Sequence, residues 1–311
     1  IMKNTTYLLA LFFTITIIGA CTNDTIVEPS SKTIVYSNPI QITINGYTSH
    51  AMEPFISPDG NTLFFNSIND GNNTKIYYAT KVNSTTFTFE GELDGANETQ
   101  AAQLNAVADL DALNNFYWTS VRDYPAQIDN LHHGIYTNGT VYDIGRVQGD
   151  FYNTKPGWLV MDHGISHDGQ FLYYNNARFD ETNCLGPCET FLGIAKWTGP
   201  KNFMKTADSD DILQNINDSN YIYYAPCITT DNLELYYTRF AKNAVTANTL
   251  AEICVATRAA DTDVFSQPKV LFSNSIGNGI IEAPTLTTDK QLMFYHQKVN
   301  GTHVIMMRTR E

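Results

Sequence analysis

Short apolar runs alternate with polar turns from about residue 33 to the end of the chain, and one such pattern recurs. Its clearest copy runs from Glu53 to Asn66 (EPFISPDGNTLFFN), with an apolar run on each side of Asp59 and Gly60. Asp accepts hydrogen bonds from the following backbone amides and Gly supplies a positive φ, so the two runs are expected to form a β-hairpin.

Four further copies follow, and the second of them is degenerate. Aligned at Asp59, Ala112, Asp168, Asp231 and Asp289, the copies are 53, 56, 63 and 58 residues apart. Two aromatic residues stand five and six residues after each aligned position. A third and a fourth strand are predicted to follow in the copies, and Lys269–Phe272 is an example of the fourth. Four strands in about 50 to 60 residues is the size of one propeller blade.

The last copy ends after its third strand, and the amino-terminal part of the chain offers the missing one. Val35–Ile42 matches Val264–Leu271, the segment that contains the fourth strand of the preceding copy. A strand from residues 33–45 would complete the final blade and cover its edge. The pattern therefore predicts an all-β fold, a five-bladed β-propeller closed by an N-terminal strand that completes the last blade.

Composition and charge agree with a strand-rich exported protein. The chain has 18 Tyr and 17 Phe, and it lacks long runs with helical spacing. Its formal net charge of −13 argues against nucleic acid and against anionic lipid headgroups, since both require clustered Lys and Arg. Partners are expected to be neutral or cationic, and no cofactor or resident metal is expected.

The first residues predict export. Met2 and Lys3 precede an uncharged apolar run, Tyr7–Ile18, which is too short to span a bilayer, and Gly19-Ala20-Cys21 follows. This arrangement resembles the bacterial lipobox, which implies that residues 1–20 are a lipoprotein signal peptide and that Cys21 is lipidated. Residues 21–32 would be a tether and 33–311 the propeller, held at the periplasmic or surface face of the outer membrane. The alternative is an ordinary secretory signal with an incidental cysteine.

The remaining cysteines and two adjacent histidines are candidates for covalent and metal chemistry. Cys184 and Cys188 flank a polar turn and are expected to form a local disulfide, which an exported compartment permits. Cys227 and Cys254 fall in the first and third strands of one blade, so a strand separates them and both are expected to be buried thiols. His132 and His133 are expected to be a surface pair, although a zinc site with Cys184 or Cys188 is an alternative.

Charged residues recur at the starts of first strands and after second strands, which should lie at the same end of the propeller. The candidate ligand-binding residues are Glu53, Arg122, Asp162, His163, Arg178, Arg239 and Glu282, with Lys298 at an equivalent position. Guanidinium groups suit a carboxylate or a sugar acid, and carboxylates suit hydroxyls. The alternative is that these charges pair between neighbouring blades.

The motif Glu-Pro-x-x-Ser-Pro-Asp-Gly-x-x-Leu-x-Phe resembles the WD40-like PD40 repeat of TolB-type propellers, and the resemblance covers essentially the whole chain after the signal. It implies the propeller fold and says little about function, because this fold serves many roles. Asp24-Thr25-Ile26 resembles the O-glycosylation site of Bacteroidetes, which suggests that phylum as the source.

Three functions follow from these observations. The first is a non-catalytic envelope lipoprotein that binds a saccharide, peptide or protein partner through its loop-rich face, since the sequence contains no Gly-x-Ser-x-Gly motif, phosphate-binding Gly loop or His-Glu-x-x-His motif. The second is a glycoside hydrolase or polysaccharide lyase that uses Glu53, Asp162 and Glu282, although the matching position in the second copy is Ala106. The third is a scaffold component of an envelope secretion or assembly complex.

Overall fold

The computed structural model describes residues 33–70, 73–97, 104–180, 184, 186–243 and 245–311. The predicted signal peptide, lipidated Cys21 and tether lie outside this range. Within it the fold is all-β, with five sheets of four or five strands arranged as a five-bladed β-propeller. No helix in the described residues is long and apolar enough to cross a membrane.

Each blade is built from strands that follow one another in the chain. Two short strands come first, β1 (Ile40–Gln41) and β2 (Thr43–Asn45). The first blade then comprises β3 (Met52–Ile56), β4 (Thr62–Asn66), β5 (Ile76–Asn83) and β6 (Thr86–Glu92), with β2 parallel to β6 at its outer edge. The second comprises β7 (Asn105–Leu110), β8 (Asn115–Ser120), β9 (Leu131–Thr137) and β10 (Thr140–Arg146).

The other three blades repeat this order. The third has β11 (Gln148–Gly149), β12 (Trp158–Ile165), β13 (Phe171–Arg178), β14 (Glu189–Gly199) and β15 (Asn202–Lys205), and a helical turn, α1 (Ser209–Ile212), follows it. The fourth has β16 (Tyr221–Ile228), β17 (Glu234–Ala241), β18 (Leu250–Thr257) and β19 (Lys269–Ser275), followed by α2 (Ile276–Gly279). The fifth has β20 (Ile281–Leu286), β21 (Leu292–Val299) and β22 (Thr302–Thr309).

The first strands of the five blades form a closed ring. Strand β3 contacts β7, β7 contacts β12, β12 contacts β16, β16 contacts β20, and β20 contacts β3. Strand β1 lies at the outer edge of the fifth blade, antiparallel to β22, with Ile40 opposite Met307. The N–H of Ser37 also donates to the carbonyl of Thr309 over 2.8 Å.

The hairpin between the first two strands is held by a hydroxyl and an aspartate. The hydroxyl of Ser57 donates to Asp59 Oδ1 and accepts the N–H of Thr62, while Asn61 N–H donates to Asp59. The same contacts recur in the third, fourth and fifth blades, which explains why the Ser/Thr-x-Asp pattern repeats in the sequence.

The hairpin of the second blade is one residue shorter. Asp111 takes the place of the Ser57 hydroxyl and accepts the N–H groups of Leu113 and Asn115. The turn closes from Asp111 to Asn115, whereas the first blade's turn closes from Ser57 to Thr62. Alignment at Ala112 therefore matches the second strand of this blade to those of the other blades correctly, but it shifts the first strand by one residue. Val107, not Ala106, is the equivalent of Glu53.

The core lies between blades, as the aromatic pairs predicted. Tyr173 packs with Tyr237 in one interface, and Tyr174 packs with Tyr117 in the preceding one. All ten residues at the two pair positions are at most 3% exposed. Since successive side chains of a strand point to opposite faces, one pair seals both interfaces of its blade.

The structure also locates the cysteines and the adjacent histidines. Cys184 and Cys188 form a disulfide, with 5.2 Å between their Cα atoms. Cys254 is a buried thiol, whereas Cys227 is only partly buried because it lines the central channel. The expectation that His132 and His133 form a surface pair is wrong, since both are buried beside aromatic rings of β8.

Candidate functional site

A cavity of about 400 Å³ opens where the first strands begin. Every blade contributes two consecutive residues to it: Met52 and Glu53, Ala106 and Val107, Met161 and Asp162, Tyr224 and Ala225, Glu282 and Ala283. Connections at the same end, including Asn69, Phe179 and Gly186, form its rim. We call this space the loop-face cavity.

The second member of each pair also lines a smaller cavity of about 80 Å³ on the side of the hairpin turns. These five ring residues, Glu53, Val107, Asp162, Ala225 and Ala283, therefore separate the two cavities. Four of them have positive φ values between 48° and 57°, and the exception is Asp162. At each of the four, the pairing of the first two strands is interrupted by a bulge, which turns the backbone toward the channel.

Glu53 carries one of three carboxylates in the loop-face cavity. Asn69 Nδ2 donates to Glu53 Oε1 over 2.7 Å, while Glu53 Oε2 is buried without a hydrogen-bond partner among the described residues. Burial raises the pKa of Glu53 well above its ordinary value, and the negative charges of Asp162 and Glu282 add to this effect.

Asp162 is the most enclosed of the three, with 2% of its surface exposed. Its N–H donates to Asn175 Oδ1 over 2.6 Å, and its carboxylate accepts the backbone N–H of Ala225. Oδ2 has no partner among the described residues. Burial raises the pKa of Asp162 to about 7, opposed by the Ala225 hydrogen bond and increased by the charge of Glu282.

Glu282, in contrast, is fully satisfied. His296 Nδ1 accepts the N–H of Glu53 over 3.0 Å, which leaves the proton on Nε2 to be donated to Glu282 Oε2 over 2.9 Å. The Tyr224 hydroxyl donates to Glu282 Oε1. Burial alone would raise the pKa of Glu282, but these hydrogen bonds hold it below its ordinary value.

The remaining wall of the loop-face cavity is largely apolar. It is formed by two methionines of the first strands and by residues of the rim, namely Met52, Met161, Leu104, Phe179, Phe240, Ile276 and Ile280. None of the described residues that line it is Lys or Arg. Three carboxylates thus lie in one partly enclosed space whose described lining contains neither Lys nor Arg.

The arginines predicted to join this site do not line either cavity. Arg122 donates to Ser120, Asn105 and the carbonyl of Ala96. Arg178 pairs with Asp180 and Glu189. Arg239 pairs with Glu252 at 2.7 Å and stacks over Tyr221, and Lys298 is also absent from the cavity walls. The geometry therefore gives no support to an acidic ligand held by these side chains.

His163 lies on the other side of the ring. It lines the turn-side cavity with Asp109 and Cys227 and is 3% exposed, and burial lowers its pKa to about 3. The expected convergence on the loop face therefore holds for Glu53, Asp162 and Glu282 but not for His163. Within the described residues, no cluster of His, Cys, Asp or Glu has the arrangement of a metal site.

Sequence reasoning missed a recurring hydrogen bond between neighbouring blades, although the sequence carries a signal for it. The residue after each aromatic pair is polar and buried in all five blades: Asn66, Thr119, Asn175, Thr238 and His296. Three of them accept the N–H of the ring residue in the next blade, as His296 does for Glu53 and Thr238 for Ala283. These three side chains fix the backbone at the bulges, and His296 also donates a hydrogen bond to Glu282.

No family model matches the chain, and no curated protein matches it. Solved structures do match along most of its length. A protein assigned as TolB from Agrobacterium tumefaciens is 13% identical, covers 86% of this chain and 77% of its own, and superposes with a TM-score of 0.50.

Two of the other similar structures are glycoside hydrolases by name. Zg3597, a family 117 enzyme from Zobellia galactanivorans, is 12% identical over 89% of this chain and 90% of its own, with a TM-score of 0.51. An exo-1,5-α-L-arabinanase from a bovine ruminal metagenomic library is 10% identical over 85% and 94%, with a TM-score of 0.55. At these identities the comparisons establish the fold of this chain, a five-bladed β-propeller.

Proposed function

We propose that this protein is an exported, lipid-anchored binding protein that takes a saccharide into the loop-face cavity without cleaving it. The observation that carries the proposal is the combination of three carboxylates with an apolar wall in a space of about 400 Å³. Saccharides offer hydroxyl donors for the carboxylates and apolar ring faces for Met and Phe side chains.

The position of the cavity supports this role. It lies among the connections between blades, on a scaffold whose first strands form a closed ring. Binding residues held by a rigid scaffold lose little conformational entropy when a ligand arrives. The PD40 resemblance and the predicted lipobox are consistent with a protein that works in the cell envelope.

Titration calorimetry of the purified full-length protein against a panel of neutral and charged oligosaccharides tests the proposal. Glu53→Gln should weaken the bound saccharide by about 0.5–1.5 kcal/mol, the net contribution of one hydrogen bond, because the raised pKa of Glu53 favours its neutral carboxyl form. Glu92→Gln is the matched control, because Glu92 pairs with Lys75 outside the cavity. Absence of binding across the panel, or equal loss in both variants, would contradict the proposal.

Glycoside hydrolysis is the second candidate, and one observation favours it. The pKa values of Glu53 and Asp162 are raised while that of Glu282 is lowered, so the carboxyl groups of one cavity differ in how readily they release a proton. Such a division is what a general acid and a base or nucleophile require. Glu53 would donate the proton to the leaving oxygen, and Glu282 would act on the sugar carbon or on water.

The two candidates differ in one measurement. If the protein is a hydrolase, it should release reducing sugar from a bound oligosaccharide, and Glu282→Gln should abolish release while binding remains. If it is a binding protein, the oligosaccharide should be recovered intact after prolonged incubation with the unmodified protein.

A further inference from the structure

We infer that the ligand of the loop-face cavity is an aminated saccharide, whose protonated amine is held between Glu53 and Asp162. The inference rests on the proposed saccharide-binding function and names the chemical class of its ligand. It excludes the sugar acids that the arginines of the sequence had suggested.

The charge balance of the cavity is the first argument. Three carboxylates line it, and no Lys or Arg is among its described lining residues. The nearby arginines Arg178 and Arg239 are paired with acidic residues of their own blades. A cationic ligand would stabilise the ionised forms of these groups, whereas a carboxylate or sulfate would add a further negative charge to the same space.

The unpartnered oxygens give the second argument. Asp162 is 2% exposed, and both its Oδ2 and Glu53 Oε2 are buried without a hydrogen bond among the described residues. Glu282, which lies in the same cavity, has both oxygens occupied by Tyr224 and His296. Of the three carboxylates in the described part of the cavity, only Glu53 and Asp162 thus have an oxygen without a hydrogen-bond partner, and their negative charges repel each other.

An ammonium group matches these two oxygens better than a hydroxyl. It offers three N–H donors and a full positive charge, so it satisfies both oxygens and offsets the repulsion between Glu53 and Asp162. A sugar hydroxyl offers one donor and no charge. Burial raises the pKa values of both carboxyls, which shows how poorly the cavity stabilises their negative charge without a cation.

The apolar wall strengthens the preference. Met52, Met161 and Phe179 face the same space and exclude water from it when a ligand is bound. An ion pair is stronger in such surroundings than in bulk solvent. The walls also accommodate the apolar face of a sugar ring, so the amine and the ring are bound by different parts of one cavity.

Matched sugars that differ only at one substituent test the inference. Calorimetry of the full-length protein at pH 7 would compare a glucosamine trimer with its N-acetylated form and with the corresponding glucose trimer, and a galactosamine and galactose pair would be treated likewise. At least one amino sugar should bind ten-fold or more tightly than its acetylated and hydroxyl counterparts. Raising the salt concentration should reduce that preference.

Two variants separate the inference from the proposed function. Asp162→Asn and Glu53→Gln should each lower the preference for the amine at least five-fold, and Glu92→Gln should leave it unchanged. Equal affinity for amino, acetylated and hydroxyl sugars would overturn the inference while saccharide binding stands. Binding of 1,5-diaminopentane without binding of any sugar would overturn the saccharide assignment itself.

Discussion

Asp162 shows how the propeller places at its centre a carboxyl group whose ionisation is unfavourable. The first strand of the third blade carries it into the channel, and Asn175 of the next strand fixes its backbone N–H. Its carboxylate receives one backbone hydrogen bond and otherwise faces two other acids. Such a residue reduces stability when it ionises, which is expected of a group retained for binding.

The first prediction concerns the pH dependence that Asp162 causes. Its pKa is about 7 in the folded protein against 3.8 for an ordinary aspartate, so the folded state binds more protons than the unfolded state between these values. Stability should therefore fall as pH rises from about 4 to 7, by on the order of 2–4 kcal/mol from this group. Asp162→Asn should remove this loss, so the variant should gain stability over the parent at pH 8 but not at pH 4.

Urea unfolding at pH 4 and pH 8 provides the measurement. Asp261→Asn is the control, because Asp261 is exposed on a loop and its substitution should leave the pH dependence as it is. A parent and an Asp162→Asn variant with parallel pH profiles would contradict the prediction.

At the residue scale, the sequence predicted part of the site. Glu53, Asp162 and Glu282 follow from strand topology alone, because the start of a first strand must lie at the loop end. The arginines do not follow, since their long side chains reach whichever acid is nearest, and that depends on packing. His296 and Tyr224 were missed because each looks like an ordinary core residue until Glu282 is placed beside it.

The third and fourth blades come into close contact where their first strands meet, and this gives an element-scale prediction. A Cβ atom on Gly164 of β12 would lie 2.3 Å from the carbonyl oxygen of Pro226 on β16. Gly164→Ala should therefore force the third and fourth blades apart, at a cost of about 1–3 kcal/mol. Thermal unfolding should show a melting temperature several degrees lower.

Gly199→Ala is the matched control for this substitution. Its Cβ would meet nothing within 4 Å, and Gly199 has no positive φ. If the two variants have the same melting temperature, the close contact between the blades does not make Gly164→Ala destabilising.

The amino-terminal strand is the second element with a testable role. Arg308 donates to the carbonyl of Ser37 over 2.6 Å, Ile42 is buried in the core between the fifth and first blades, and Ile40 pairs with Met307. Deleting residues 1–46 should expose the edge of β22 and cost several kcal/mol, a large share of a typical stability of about 5–15 kcal/mol.

Deletion of residues 1–32 alone serves as the comparison for the longer truncation. The shorter deletion should melt like the parent, and the longer one should melt earlier or aggregate. An unchanged melting temperature after the longer deletion would show that the last blade is stable without this strand.

At the element scale, the sequence pattern was accurate because hairpin chemistry is local. The Ser/Thr-x-Asp turns and aromatic pairs each involve residues a few positions apart, so spacing reveals them. The shorter hairpin of the second blade escaped detection because Asp111 replaces the usual hydroxyl, and only the hydrogen-bond pattern shows which residue is equivalent to Glu53.

At the scale of the whole molecule, attachment to a membrane remains a prediction from the amino-terminal sequence. Mass spectrometry of detergent-extracted protein should find a mature amino terminus at Cys21 with its thiol lipidated. Stable attachment should require more than one acyl chain, since a single chain binds only marginally. Cys21→Ser should release the protein into the aqueous fraction, and an amino terminus at any other residue would contradict the prediction.

The ring of first strands has a consequence for how this molecule could change its specificity. Ten cavity positions come in five consecutive pairs, and their backbone is fixed by the bulges and by the polar residues behind them. The second residues of these pairs are the ring residues Glu53, Val107, Asp162, Ala225 and Ala283, one from each blade. Because each of these residues lines the channel and none is a member of the aromatic pairs between blades, one of them can be replaced while those pairs are kept. Duplicated genes could thus diverge in ligand specificity through substitutions at these five positions, while the propeller fold is inherited unchanged.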